Sequence, residues 1–144
     1  MRVGACQTPE ILSDVDAAVQ LIHHFAAAAE AADIDLLMFP ECFLQGYLVT
    51  EQHVQGQAFE VGSPEFADVL ARLAAIRQVL VVGLIEHSDG SYYNTALVLR
   101  SGGVVGGYRK TFLTSGESVF IAGAAYPLSP ASARRRGSGW VRPV

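Results

Sequence analysis

Apolar residues recur at steps of three and four between positions 15 and 29: Val15, Val19, Ile22, Phe25, Ala26 and Ala29. That spacing puts them on one stripe of a helix. Ser13 precedes the run, and Asp14 and Asp16 suit the positive N-terminal end. A second helix is expected from Pro64 to about Gln78. Ser63 and Pro64 make its cap and first-position proline, and Phe66, Val69, Leu70 and Leu73 face inward.

Between these lie short apolar runs of strand length. Arg2–Cys6, Asp35–Phe39 (DLLMF) and Val79–Ile85 (VLVVGLI) read as buried strands. Pro40 stops the second. Residues 41–62 have little periodicity and read as loop. His87-Ser-Asp-Gly-Ser91 is a hairpin turn signal. Tyr93–Arg100 returns from it, with Thr95, Leu97 and Leu99 on one face and Asn94, Ala96 and Val98 on the other. Ser101-Gly102-Gly103 turns the chain again into Val104–Tyr108. The order β, α, β, α, β, β, β predicts an α/β layered fold, a mixed sheet with two helices on one face.

Composition sharpens this picture. Of 144 residues, 51% are hydrophobic and 17% charged, enough for one core in one domain. A formal charge of -4 leaves no broad basic field for nucleic acid. Two cysteines, Cys6 and Cys42, make no disulfide framework, and no metal-ligand spacing occurs. His23 and His24 are neighbours and cannot share one helical face. The start MRVGACQTPE has no apolar core of a signal peptide, and no stretch is apolar enough to span a membrane. The expectation is a cytoplasmic protein. The charge is uneven: all fourteen acids fall before residue 129, whereas Arg134, Arg135, Arg136 and Arg142 follow it. Residues 1–128 are expected to form the domain and 129–144 an arginine-rich, disordered tail.

Three polar residues stand just past apolar strands: Glu41 after DLLMFP, Lys110 after VVGGYR, and Glu117 in TSGESVF. Ligands gather at the carboxyl ends of strands in open α/β sheets. A carboxylate and an ammonium there are candidates for a base and an oxyanion-stabilising cation. Each has a plain structural alternative, Glu41 as a loop carboxylate and Glu117 as an ion-pair partner of Lys110 or Arg109. The glycine cluster before Lys110 is no phosphate loop, because Arg109 stands where that loop needs glycine. The G-x-S-x-G elbow of serine hydrolases is absent.

DLLMFPECFLQGY resembles the first catalytic block of the nitrilase or carbon–nitrogen hydrolase superfamily, and YNTALVLRSGGVVGGYRKTFL resembles the second. ESVFIAG is similar to the segment that follows, and MRVGACQT to the usual opening. The resemblance covers residues 1 to about 128. It implies an αββα sandwich, here incomplete, that commonly forms dimers or larger oligomers and needs no metal or organic cofactor. It implies Glu41 as general base, Lys110 as the electrophilic lysine and Glu117 as a supporting second glutamate. The substrate class implied is a small non-peptide amide or nitrile, attacked by a cysteine thiolate.

That cysteine belongs to a later block, and this chain has none after Cys42. The resemblance stops near Pro127–Pro130. Cys42 adjoins Glu41, and neighbours in extended chain point to opposite sides, so it is not expected to replace the nucleophile. Cys6 reads as a buried hydrophobe, and Ser115 and Ser118 have no activating partner. The expectation is a family N-terminal portion without turnover of its own, its apolar sheet surface exposed. The other reading is a non-catalytic binding or assembly module that keeps the half-site.

Overall fold

The computed structural model describes residues 1–124. The predicted arginine-rich tail lies outside the described residues. Among the described residues, six strands and three helices follow in the order β1 (Val3–Ala5), α1 (Val15–Ala31), β2 (Leu36–Met38), α2 (Glu51–Gln57), β3 (Phe59–Glu60), α3 (Pro64–Leu73), β4 (Val79–Ser88), β5 (Ser91–Arg100) and β6 (Gly103–Arg109). The sheet runs β1-β2-β4-β5-β6, with β3 also paired to β4. β1, β2 and β4 are parallel, whereas β4, β5 and β6 form an antiparallel meander. The fold is therefore α/β with a mixed sheet, as the order of elements predicts.

Local chemistry explains the helix starts. The Asp14 carboxylate accepts the Ala17 N–H at 2.9 Å and caps α1. Ser63 caps α3 by accepting from Phe66 N at 3.2 Å. Two expectations change. α3 ends at Leu73 rather than near Gln78, because Ala74 and Ile76 bond three residues back in tighter turns. The stretch predicted as loop holds α2, capped by Thr50, and β3.

α1 and α3 cover one face of the sheet. Val19, Ile22 and Ala26 of α1 and Phe66, Val69 and Leu73 of α3 pack on Leu37, Leu80, Val82, Leu84, Leu97 and Leu99. On the other face a smaller cluster joins Cys42, Val54, Ile85 and Phe120. The register puts Val3, Met38, Val81, Ala96 and Val98 on this second face as well. There Val3 is 51% and Met38 45% exposed.

β4 is the pivot. Its first residues pair with β2, and Glu86 and His87 pair with β3. Between them no strand lies on that side. Residues 39–45 run there instead, with Phe39 N donating to Val81 O (2.9 Å) and Leu44 N to Gly83 O (3.1 Å). The Gln45 side chain completes the ladder: it accepts from Ile85 N and donates to Ile85 O, both at 3.0 Å. A buried amide thus does the work of a missing strand residue.

Candidate active site

The residues after β2 form an elbow over the second face of the sheet. Pro40 cannot continue a strand ladder. Cys42 turns the chain through a left-handed conformation (φ 50°), and Gly46 N bonds back to Cys42 O at 2.7 Å. The elbow sits directly on Gly83. A Cβ there would lie 2.2 Å from Pro40 O and 2.7 Å from Cys42 N, so only glycine admits this close approach. Glu41 stands on the elbow with its side chain about half exposed.

Lys110 follows the last residue of β6. Its N–H donates to Asn94 O and its carbonyl accepts from Gly123 N, each at 2.8 Å. Glu117 lies in a turn closed by its own N–H to Thr114 O at 3.0 Å. The Thr114 N–H in return donates to Glu117 Oε2 at 2.8 Å.

These segments bring the three predicted side chains together. Lys110 Nζ lies 3.2 Å from both Glu41 carboxylate oxygens and 3.1 Å from Glu117. Asn94 Nδ2 donates to Glu41 Oε2 and Glu117 Oε1, each at 3.0 Å. The ammonium is bracketed by two carboxylates, and one amide bridges them. Of the alternatives for Glu117, its partner is Lys110; Arg109 pairs instead with Glu86.

Electrostatics fixes the charge of the buried carboxylate. Burial by itself would raise the Glu117 pKa, but the Thr114 N–H, Lys110 and Asn94 outweigh it and hold the pKa down at about 2. Glu117 is fully buried and stays ionised at neutral pH. Burial also opposes the Lys110 ammonium, yet its bonds to Glu117 and Glu41 prevail and raise its pKa, so it stays charged. Tyr47, just past the elbow, has its phenol pKa raised by burial and by the charge of Glu117.

The cysteines are elsewhere in chemistry if not in space. Cys42 is 1% exposed, packed with Val54, Ile85 and Phe120. Burial, then the charges of Glu41 and Glu117, push its thiol up to about 12, with Lys110 opposing. The chain at Cys42 is a turn rather than the extended segment assumed from sequence, yet the thiol is buried and protonated. Cys6 is buried in the main core, its thiol pKa raised by that burial. His23 Nε2 bonds Arg72 O at 3.0 Å, and His24 meets Phe25 edge-on. Ser115 and Ser118 are exposed.

Sequence reasoning passed over Asn94 as a site residue. It lies in the middle of an apolar alternation, on the face away from α1 and α3, and is 5% exposed. A polar amide where the pattern calls for an apolar side chain is the signal that could have singled it out.

The α/β sheet thus holds an ammonium between two carboxylates beside a strand tip. Residues 2–129 match the profile of the carbon-nitrogen hydrolase family, and the chain belongs to that family. Among curated relatives, a protein of Pseudomonas protegens described as "Hydrolase in pqqF 5'region" is 35% identical over 127 residues, spanning 85% of this chain and 44% of its own. An (R)-stereoselective amidase of a Pseudomonas species is 35% identical, over 64% of this chain and 33% of its own. Among solved structures, an amidase from Nesterenkonia sp. superposes with a TM-score of 0.71 at 26% identity, over 85% of this chain and 48% of that one. The chain thus spans less than half the length of these relatives.

Proposed function

We propose that this chain carries the base and the cation of a carbon–nitrogen hydrolase site for a small non-peptide amide or nitrile. The observation that carries the reading is Lys110 Nζ held within 3.2 Å of Glu41 and 3.1 Å of Glu117. The Nesterenkonia amidase, solved as a variant in complex with butyramide, supports a small aliphatic amide as substrate.

The geometry supports the following division of roles. Glu117 remains ionised far below neutral pH, so it is a poor proton shuttle. Its work is to fix and charge Lys110. Glu41, half exposed, is the group placed to exchange protons. In the reaction it takes the proton of an attacking thiol, which is mostly protonated at neutral pH. Thiolate adds to the amide carbon, and the ammonium of Lys110 stabilises the oxygen charge of the tetrahedral intermediate. The amine leaves with a proton, and water activated by Glu41 releases the acid. No metal or organic cofactor enters this scheme.

The thiol itself is not among this chain's candidates. Cys42 is buried with a pKa raised to about 12, and no cysteine follows it. The chain alone is therefore expected to show no turnover, and the site is a half-site. A cytoplasmic location and self-association remain part of the proposal; among the described residues no helix is long and apolar enough to cross a membrane.

A graft tests the roles. Residues 1–124 joined to the remaining half of the Nesterenkonia amidase should fold, by circular dichroism, and hydrolyse butyramide. Glu41→Gln in that graft should lower kcat by about 10²–10⁴-fold, and Lys110→Met by a similar factor. A folded graft with no turnover, or one indifferent to Glu41→Gln, refutes the assignment. Cysteine-dependent turnover by the 144-residue chain alone would show that it supplies its own nucleophile.

A further inference from the structure

Two side chains outside the charged cluster, those of Gln45 and Arg109, converge on one dipeptide of β4, Ile85–Glu86. Gln45, fully buried, grips the backbone of Ile85 through both ends of its amide. It also donates to Gln57 O at 3.2 Å, and its own carbonyl accepts from Ser13 N at 2.9 Å. Gln45 is thereby fixed at every polar atom, and it lies four residues after Glu41 on the same elbow.

The next residue, Glu86, points to the opposite face. It too is fully buried. Arg109 Nε donates to Glu86 Oε2 at 2.9 Å and Arg109 Nη2 to Glu86 Oε1, a two-pronged ion pair. Thr95 Oγ1 donates to Glu86 at 2.6 Å, and the guanidinium lies 3.8 Å above the Tyr93 ring. Arg109 immediately precedes Lys110. With Arg109 fastened on the helix-covered face, alternation sends Lys110 to the other face, where Glu41, Asn94 and Glu117 stand. Gly123 closes the arrangement: a Cβ on it would sit 2.4 Å from Arg109 Cβ.

We propose that Gln45 and Glu86 are positioning residues, which act through Ile85–Glu86 as a shared anchor to set Glu41 and Lys110 in mutual reach. Gln45 holds the elbow that carries Glu41 to the backbone of Ile85. Glu86 holds the strand end that carries Lys110 through Arg109. One rigid dipeptide of the central strand thus fixes both arms, and neither positioning residue touches the charged cluster. The inference rests on the catalytic reading of Glu41 and Lys110, but its test reads carboxyl titration rather than turnover, so the two can fail separately.

The Glu117 carboxyl, held by Lys110, Asn94 and the Thr114 N–H and close to the Glu41 charge, is the reporter. Its titration is followed by carboxyl-carbon NMR in the full 144-residue chain, in E86Q and in R109K. Removing the Glu86 charge, or leaving Arg109 uncompensated, would by itself lower the Glu117 pKa. Displacement of Lys110 and Asn94 would raise it. The expected result is a rise of at least about one pH unit in E86Q, and a smaller rise in R109K, which keeps the charge but loses the fork. In Q45M the Lys110–Glu41 proximity seen by nuclear Overhauser effects should be lost while Lys110–Glu117 persists. Should E86Q fail to fold, R109K and Q45M decide. Folded variants in which Glu117 titrates as in the parent, or lower, and in which Lys110 still meets Glu41, overturn the proposal.

Discussion

Asn94 ties the two carboxylates that would otherwise repel each other. Its amide donates one hydrogen to each, while Lys110 supplies the balancing charge between them. Asn94→Ala removes both bonds without adding charge. It should destabilise the fold by about 1–3 kcal/mol, the usual range for stranding a buried polar group. It should also raise the Glu117 pKa. Urea unfolding and NMR titration of the variant check the two effects. The Glu117 pKa makes a further prediction. Its folded value of about 2 lies below the ordinary 4.5, so its stabilising contribution is full above pH 4.5. It is lost as pH falls through the interval from 4.5 to 2, when the folded state must take up that proton. Unfolding free energies from denaturant titrations between pH 6 and 2 should drop in that window by up to about 3 kcal/mol, and Glu117→Gln should flatten the drop.

The elbow of residues 39–46 and the β-hairpin of β4 and β5 meet at Gly83, and their spacing is set by a missing side chain. Gly83→Ala places a methyl 2.2 Å from Pro40 O, which must lift the elbow or bend β4. A destabilisation of about 1–3 kcal/mol is expected, in line with overpacking at a rigid contact. The Lys110–Glu41 proximity should weaken in the same variant. A stable Gly83→Ala chain with an unchanged cluster would show that the elbow does not depend on this contact. α2 belongs to the same scale. It is short, EQHVQGQ, with only His53 and Val54 buried, and so carries too few apolar positions to reveal a period. His53 Nε2 meets Gly46 O at 3.1 Å, so this helix braces the far end of the elbow.

Among the described residues, one face of the sheet is covered by helices and the other is largely open. α1 and α3 seal the first face over the main core. The second face leaves Val3, Met38 and Val105 about half exposed, and Phe112 beside the site is 89% exposed. Apolar surface of this kind favours association. The 144-residue chain should therefore sediment as a concentration-dependent oligomer or aggregate, and its unfolding midpoint should rise with protein concentration. A monomer with a sharp, concentration-independent transition of high stability would contradict this.

The sequence by itself determined the elements whose signal is local. The three-and-four spacing from Val15 to Ala29, the Ser63-Pro64 start and the apolar runs at 36–38 and 79–85 specify helices and strands through short-range sterics and side-chain period. The blocks around Glu41 and Lys110 identified the family and the three charged residues, because those residues interrupt apolar strand ends where solvation makes charge conspicuous. Only the tertiary structure decided which residues meet across separations of 23 to 53 positions in the sequence. It showed Asn94 between two carboxylates, Gln45 standing in for a strand, and Glu86 reaching across to Arg109. It also showed that Cys42 sits in a left-handed turn with a buried thiol. Each of these depends on backbone groups and charges meeting across the sheet. A contact of that kind is set by the register of β4 against its neighbours, and register is fixed only when the whole sheet packs.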